Sequence, residues 1–275
     1  MTPQNNSTIV LVTSTEDPAS TNIAERLREK HAFRSTEVAL FEKPVYQKDS
    51  LLLVTIDTRI VTPPDLDAYF NPQAYIFLSR HRAESGIASV TAHTTGNFTE
   101  EAALGGKPRE IGRVNPDILK NYMLSLWKHS EELGEFQVTI EATHHGPTSL
   151  QKPVLFVEIG SGESSWKDER VGGIIADALM ESLTSGRTWK DVAIAFGGTH
   201  YPDKFNRMIL ETETALASIA PKYALNGVDE PMFAQLIQKS THFPGAVAID
   251  WKGVGTHKER LLGLAKQFGL QVIRV

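Results

Sequence analysis

Short apolar runs that alternate with segments of helical periodicity constrain this fold more than any other feature of the sequence. Runs of this kind are typical of strands buried on both faces of a sheet, and strands that alternate with helices favour parallel pairing. The runs predict strands at residues 9–13, 51–56, 74–78, 88–92, 137–142, 154–159, 191–196, 246–250 and 271–275.

The segments between these runs have apolar residues at helical spacing. They predict helices at residues 19–30, 116–134, 171–183, 204–217, 231–239 and 257–268. The fold class we expect is therefore α/β, with a mixed, largely parallel sheet flanked by helices on both faces. At 275 residues the chain is long enough for one compact unit, residues 1–275, or two lobes of about 1–135 and 136–275. Residues 97–115, rich in glycine, proline and charge, are expected to form a lid or an insertion.

Two properties of the whole chain exclude classes of function. The sequence has no cysteine, which excludes disulfides, thiolate metal sites and a cysteine nucleophile, so that any metal must bind His, Asp, Glu or water. Its formal net charge is -5, so an RNA substrate would require a local positive surface. The beginning of the chain lacks the pattern of a signal peptide, and no apolar run is long enough to span a bilayer, so we expect a cytoplasmic protein without membrane contact.

Polar segments follow several of the predicted strands at the point where each strand ends. Ligands of open α/β sheets collect beyond the carboxyl ends of the strands, so these segments are candidates for an active site. Six of the nine histidines lie in or beside them, if the looser segment around His242 is included. The segments are 79–82, 91–97, 142–148, 160–166 and 197–201.

Histidine is the commonest metal ligand in proteins and the natural acid or base near neutral pH. We predict that His93, His200 and one of the pair His144 and His145 converge with Glu158 or Glu163. Successive side chains of an extended segment point to opposite faces, so only one of the paired histidines should face the site, and we favour His144. The alternative is a set of separate structural histidines, because no HExxH spacing is present to indicate zinc.

Glycines and basic residues near the same strand ends fit a polar substrate. The alternative for Gly160-Ser161-Gly162 alone is a tight strand-to-helix turn. Together with Gly197-Gly198, however, it supplies backbone N–H groups that could hold an oxyanion or a terminal ribose-phosphate. Ser161 lacks the flanking pattern of a nucleophile elbow, which disfavours a serine hydrolase. Trp166 and Tyr201 could stack on a base or line an amino-acid pocket. Basic residues close to the strand ends, among them Arg80 and Lys204, would make the pocket positive if the ends converge.

Taken in order, these motifs resemble the archaeal and plant type of D-aminoacyl-tRNA deacylase. The resemblance covers most of the chain, and the motifs in this order are specific as a set, although each motif alone is short. It implies a phosphorylase/hydrolase-like α/β fold, zinc dependence, and hydrolysis of the ester that joins a D-amino acid such as D-tyrosine to tRNA. The motifs are Ser79-Arg80-His81, Ala92-His93-Thr94-Thr95-Gly96-Asn97, Thr143-His144-His145-Gly146-Pro147-Thr148, Glu158-Ile159-Gly160-Ser161 with Trp166, and Gly197-Gly198-Thr199-His200-Tyr201.

We therefore predict a chiral proofreading enzyme that acts on the acceptor end of D-aminoacyl-tRNA, as a monomer without a protein partner. The predicted catalytic residues, which are also the candidate ligands for one or two zinc ions, are His93, His144, Glu158 and His200. The predicted substrate-binding residues are Arg80, His81, Thr94, Asn97, Thr148, Gly160, Ser161, Trp166, Gly197, Gly198, Tyr201 and Lys204.

Two other functions are compatible with the same residues. A zinc-dependent peptidase or amidohydrolase of similar fold would use the same histidines and glutamates on a free peptide. A non-catalytic protein that binds tRNA or a nucleotide would use the histidines only for packing and hydrogen bonding.

Overall fold

Two β-sheets, which share one hydrophobic core, carry the predicted strands. The structure is a computed structural model and describes residues 8–84 and 86–275. The strands within these residues are β1 (Ile9–Ser14), β2 (Arg34–Leu40), β3 (Lys43–Lys48), β4 (Leu51–Ile56), β5 (Ala74–Arg80), β6 (Ser89–His93), β7 (Gly96–Asn97), β8 (Glu110–Ile111), β9 (Gln137–Ile140), β10 (Val154–Gly160), β11 (Val192–Phe196), β12 (Ala215–Ala220), β13 (Ala246–Ile249) and β14 (Gln271–Arg274). The helices are α1 (Pro18–Lys30), α2 (Pro116–Lys128), α3 (Ser130–Leu133), α4 (Glu163–Trp166), α5 (Glu169–Ser185), α6 (Asp203–Glu211), α7 (Glu230–Gln238) and α8 (Lys258–Gln267).

The larger sheet has the strand order β2-β3-β4-β1-β5-β10-β6-β9. Its central strands from β4 to β10 are parallel, whereas β6 runs antiparallel to β10 and β9 runs parallel to β6. The smaller sheet, β12-β11-β13-β14, is parallel throughout. Strands β7 and β8 pair separately as a short antiparallel ribbon.

Burial explains why the central strands are apolar along their whole length. Every residue of β1 and β10 is buried, because each strand has neighbours on both sides and covering layers on both faces. Helices α1, α2 and α5 cover one face of the larger sheet. The core beneath them continues to the smaller sheet, since Leu11 and Val157 of the first belong to the same cluster as Ala195 and Leu216 of the second.

The outer face of each sheet has its own cover. Leu66 and Phe70, from the connection between β4 and β5, pack with Val12 and Phe77 over the second face of the larger sheet. Helices α7 and α8 cover the far face of the smaller sheet. The predicted α/β class is confirmed, and two sheets rather than one form it. None of the helices in residues 8–84 and 86–275 has the length and hydrophobicity that a membrane crossing requires.

The structure differs from the predicted secondary structure in three segments. The helix predicted at 204–217 ends at Glu211, because Thr212 adopts an extended backbone and the residues from Ala215 onward enter the smaller sheet as β12. The helix predicted at 116–134 is two helices, α2 and α3. Strands β2 and β3, largely polar and exposed, were not predicted at all.

The division of the chain into lobes remains a prediction. Strands β9 and β10, which follow residue 135, belong to the larger sheet. The chain therefore passes from one sheet to the other between Gly160 and Val192.

A fully buried lysine connects α2 to the smaller sheet. Lys120 is 0% exposed, and its Nζ donates hydrogen bonds to the carbonyl oxygens of Ile209 and Thr214, each at 3.0 Å, and to that of Thr212. These carbonyls lie where α6 ends and β12 begins. One ammonium group thus donates hydrogen bonds to three backbone carbonyls at the junction between α6 and β12.

Replacing Lys120 by Met should destabilise the protein by about 2–4 kcal/mol, because the three carbonyls lose their donor in a buried place. Chemical denaturation followed by circular dichroism measures the free energy of unfolding. Lys128→Met, at the exposed end of the same helix, is the control and should change stability by less than about 0.5 kcal/mol. Equal stability of the two variants would show that Lys120 has no such role.

Candidate active site

The candidate site is built around Glu158, a buried carboxylate on β10 in the middle of the larger sheet. In the sheet register Glu158 pairs with Ser79 of β5 on one side and Thr91 of β6 on the other. Residues two positions apart along a strand share a face, so His81 and His93 follow on the same side as Glu158. His81 Nδ1 lies 3.3 Å from Glu158 Oε2, and His93 Nε2 lies 3.7 Å from Oε1.

A second buried carboxylate, Glu141, follows the end of β9. Its backbone N–H donates to the carbonyl of Ala92 at 3.0 Å, which extends the pairing of β9 with β6 and brings Glu141 level with the histidines. Glu141 Oε2 lies 2.7 Å from His200 Nε2 and 3.7 Å from His144 Nε2, and Oε1 lies 3.2 Å from His81 Nδ1. His81 therefore lies near both glutamates, whereas the other three histidines each lie near one of them.

Both members of the His144-His145 pair face the site. Their ring centroids lie 4.0 and 4.7 Å from that of His93. The expected alternation of side chains was wrong, because the segment is not extended here: His145 has a positive φ of 43°. His144 keeps partial access to solvent, whereas His145 is buried. Which of the two acts in a reaction remains a prediction.

The smaller sheet supplies the remaining side of the site through the loops after β11 and β12. The N–H of Ala142 donates to the carbonyl of His200 at 2.9 Å, which fixes the first loop against the end of β9. The hydroxyl of Tyr201 is hydrogen-bonded to His81 Nε2. The hydroxyl of Tyr223, from the second loop, lies 3.3 Å from His200 Nδ1.

Both glutamates are held ionised in spite of their burial. Burial alone would raise their pKa, but the hydrogen bonds and charges of the histidines outweigh it. His81 and His93 hold the pKa of Glu158 far below its ordinary value. The hydrogen bond from His200 is the main reason that the pKa of Glu141 falls to about 2.

The histidines divide into two electrostatic classes. Burial would lower the pKa of His81 and His93, but the nearby carboxylate of Glu158 outweighs it and raises the pKa of both imidazoles. Burial lowers the pKa of His144 and His145, and the neighbouring imidazole of His93 lowers it further, to about 4 for His145. His144 and His145 are therefore neutral imidazoles at neutral pH, each with a nitrogen lone pair available as a ligand.

These side chains fit a divalent metal ion. In each of three groups the candidate ligand atoms lie within 4.8 Å of one another. Two buried atoms that face the cluster, His93 Nε2 and Glu141 Oε1, have no hydrogen-bond partner among the described residues, as expected of atoms that bind a cation. The groups are His93 with His144 and His145, His81 with Glu141 and His200, and His93 with Glu141 and Glu158.

Two cavities open onto the cluster, and predicted substrate-binding residues lie in each. Arg80 and His81 line a cavity of about 300 Å³, together with Glu158 and His200. Asn97 lines a second cavity, of about 360 Å³. His144, His145 and Leu104 line both cavities. The predicted insertion at 97–115 contributes Leu104 from the connection between β7 and β8, so this insertion does reach the site.

Some predicted residues support the site from outside the cavities. Trp166 Nε1 donates to the carbonyl of His81 at 3.0 Å. The hydroxyl of Thr94 is hydrogen-bonded at 2.7 Å to that of Thr143, which lines the second cavity. Gly160 allows the close approach of His81, because a Cβ at residue 160 would lie 2.8 Å from the imidazole.

Other predicted residues are engaged elsewhere. The hydroxyl of Thr148 donates to Glu110, and that of Ser161 donates to the carbonyl of Ile87. Lys204 Nζ donates to Asp250 at 2.7 Å. Gly197 and Gly198 have φ of 107° and 75°, and a Cβ on either would crowd Asp250 or Pro202 respectively. None of these residues lines the two cavities of the described chain, and a role for them in binding stays a prediction.

Sequence reasoning missed Glu141 and Tyr223 as members of the site. The signal for Glu141 was present, since a carboxylate at the end of an otherwise apolar run must be buried with a partner. Tyr223 had no such signal, because the strand before it, β12, falls partly within a predicted helix.

Comparison with known proteins decides the family. The model of the D-aminoacyl-tRNA deacylase family matches residues 68–273. This chain belongs to that family.

Relatives named D-aminoacyl-tRNA deacylase match over nearly their whole length. That of Cenarchaeum symbiosum is 37% identical over 96% of this chain and 98% of its own, and that of Methanocaldococcus jannaschii is 35% identical over 97% and 99%. A crystal structure of a conserved protein of unknown function superposes with a TM-score of 0.91 and 28% identity, covering 98% of this chain and 96% of the other. The predicted family, fold class and enzyme class, a hydrolase of the aminoacyl-tRNA ester bond, are confirmed.

The geometry predicts that the purified protein binds a divalent metal ion and that His93→Ala weakens this binding by about tenfold or more, since His93 takes part in two of the three ligand groups. Metal content after dialysis, measured by inductively coupled plasma mass spectrometry, tests both statements. His242→Ala is the control, because His242 pairs with Asp117 and belongs to none of the groups. A wild-type protein that retains no metal after incubation with divalent cations would contradict the prediction.

Proposed function

We propose that this chain hydrolyses the ester bond of D-aminoacyl-tRNA, for example D-tyrosyl-tRNA, to free D-amino acid and tRNA. The observation that carries the proposal is the pair of buried glutamates, Glu141 and Glu158, surrounded by five histidines where two cavities meet. Family membership supplies the substrate class. The reaction would remove mischarged D-amino acids from tRNA, which is a chiral proofreading role.

Zinc is the metal we propose, as one or two ions. Imidazole and carboxylate groups are ligands that zinc prefers. The proposed ligands are His93, His144 and Glu158, and the geometry adds Glu141. His200, the fourth residue chosen from the sequence, is hydrogen-bonded to Glu141 and is the proposed proton carrier instead. When bound, zinc supplies Lewis acidity, which polarises a carbonyl group and makes water a better nucleophile near neutral pH.

The side chains of the site can move and hold the protons that ester hydrolysis requires. Attack of water on the ester carbonyl releases a proton, and the leaving ribose oxygen must gain one. Glu141 is ionised and accepts a hydrogen bond from His200 Nε2, which fixes the orientation of that imidazole. His200 is partly exposed, so it can take a proton from the attacking water and return it to the ribose oxygen.

We propose Tyr201 as the donor of a hydrogen bond to the developing oxyanion. Burial, and then the negative charges of Glu141 and Glu158, raise the pKa of Tyr201 to about 12, so its hydroxyl stays protonated at neutral pH. The hydroxyl already contacts His81 at the edge of the cluster. A donor held in place before the reaction stabilises the tetrahedral oxyanion without reorganisation.

Discrimination between D- and L-aminoacyl groups would come from steric exclusion of the L form, since the same ester is cleaved in both. We further propose that the enzyme acts as a monomer and in the cytoplasm, where its tRNA substrate is charged.

Incubation of the purified protein with D-tyrosyl-tRNA and L-tyrosyl-tRNA, with and without a chelator, tests the activity. We expect release of the D-amino acid alone, abolished by chelator, because the site requires its metal. Release of neither amino acid would contradict the proposal. Cleavage of aminopeptidase substrates would favour the peptidase, and tRNA binding without metal or turnover would favour the binding protein.

His200→Ala should lower kcat for D-tyrosyl-tRNA by about a hundredfold or more, because the proton carrier and the main hydrogen-bond partner of Glu141 are both lost. Single-turnover deacylation measures the chemical step, and circular dichroism checks the fold. His242→Ala serves again as the matched control and should behave like the wild type. A His200→Ala enzyme with the wild-type rate would remove His200 from the mechanism.

A further inference from the structure

The two cavities that meet at the histidine cluster differ in chemistry. We name the first the arginine cavity, because Arg59, Arg80 and Arg82 line it. We name the second the apolar cavity, because Phe98, Ala102, Ala103 and Ala224 line it. Leu104, whose side chain is 53% exposed, forms part of the wall of both.

The arginine side chains of the first cavity form no ion pair with a carboxylate of the described residues. Arg59 and Arg82 are exposed, and their side chains form no ion pair or hydrogen bond with the described part of the chain. Arg80 lies over the ring of Trp166 at 5.4 Å and reaches only the backbone carbonyl of Glu16, at 3.5 Å. In a chain with a net charge of -5, three arginines without carboxylate partners around one cavity form a local site for an anion.

No carboxylate of the described residues forms an ion pair with an arginine side chain of this cavity. Asp17 accepts hydrogen bonds from the N–H groups of Ala19 and Ser20, which cap α1, and from the N–H of Arg80. Glu158 is engaged by the histidines. Glu16 is exposed at the mouth, and its side chain makes no ion pair in residues 8–84 and 86–275. Guanidinium groups bind phosphate oxygens with two parallel hydrogen bonds, so phosphate is the anion that this arrangement suits.

The apolar cavity lacks this charge. Besides its apolar side chains it contains the ring of Tyr223, and its one carboxylate is Glu101, which is exposed. The amide of Asn97 donates to the carbonyls of Gly105 and Lys107 and so belongs to the wall. A cavity of this kind suits the side chain of an amino acid such as tyrosine.

We propose that the two cavities divide the substrate between them. The 3′-terminal nucleotides of tRNA lie in the arginine cavity, with their phosphates against Arg59, Arg80 and Arg82. The aminoacyl side chain lies in the apolar cavity. The ester then lies at His144 and His145, the histidines common to both cavities, with Leu104 beside it. This inference rests on the proposed function.

The arginine half of the proposal is tested with two substrates that share the ester but differ in the nucleic acid, D-tyrosyl-tRNA and D-tyrosine methyl ester. For Arg59→Ala and Arg82→Ala we expect the ratio of kcat/KM for the tRNA ester to that for the methyl ester to fall by about tenfold each. The loss should appear in KM. The dependence of log KM on log salt concentration should weaken by about 0.7 for each arginine removed, as for contacts with single-stranded phosphates.

Arg34→Ala is the matched control, since Arg34 is also exposed but lies on the edge strand β2 and lines neither cavity. It should leave the ratio and the salt dependence unchanged. If both cavity variants behave like Arg34→Ala while the wild type cleaves D-tyrosyl-tRNA, the arginine assignment is wrong and the proposed function stands. If the wild type does not cleave the tRNA ester, the proposed function itself fails.

The apolar half is tested by Ala102→Leu, which adds a larger side chain to the wall of the second cavity. We expect kcat/KM to fall by about tenfold more for D-tyrosyl-tRNA than for D-alanyl-tRNA. The reason is that the tyrosyl group of the substrate, unlike the alanyl group, needs the space that the new leucine occupies. The affinity for uncharged tRNA, measured by filter binding, should not change. An equal loss for both aminoacyl groups, or weaker binding of uncharged tRNA, would overturn the assignment of this cavity.

Discussion

Two ionised carboxylates buried side by side are the constraint on which the site depends. Moving a carboxylate out of water is unfavourable by several kcal/mol unless hydrogen bonds and opposite charge compensate for it. Glu158 and Glu141 are 3% and 1% exposed and lie close enough for each to oppose the ionisation of the other. The histidines around them are the compensation, and His93 Nε2 and Glu141 Oε1 have no hydrogen-bond partner among the described residues. A metal ion would bind both atoms and add positive charge beside the two carboxylates.

The fold brings these groups together through one reversal of strand direction. Because β6 runs antiparallel to β10, the end of β6 passes the middle of β10 and places His93 diagonally beside Glu158. Strand β9 runs parallel to β6, so that Glu141 and the paired histidines, which follow β9, lie beside His93 at the end of β6. The loops after β11 and β12 complete the site from the smaller sheet. The active-site residues therefore depend on the packing of the two sheets against each other.

The sequence predicts the strands of this fold because a strand buried on both faces leaves an unbroken apolar run, as in β1 and β10. It does not predict β2 and β3, whose exposed residues follow no such pattern. It indicates the histidines, because they cluster at strand ends. It does not show that His145 turns towards His93, since that depends on a single positive φ, nor that Glu141 becomes the second carboxylate, since that depends on the register of β9 with β6. The convergence of distant segments on one cavity, such as those of Arg59 and Arg82, is set by tertiary structure alone.

The most direct test of the account is the rate of D-tyrosyl-tRNA deacylation by Glu141→Gln, which removes one charge and preserves the shape of the side chain. We expect a fall in kcat of about a hundredfold or more, with the fold and the affinity for uncharged tRNA retained, because His200 loses its anionic partner. A rate within about threefold of the wild type would contradict it, since a difference of that size corresponds to less than about 1 kcal/mol of transition-state stabilisation.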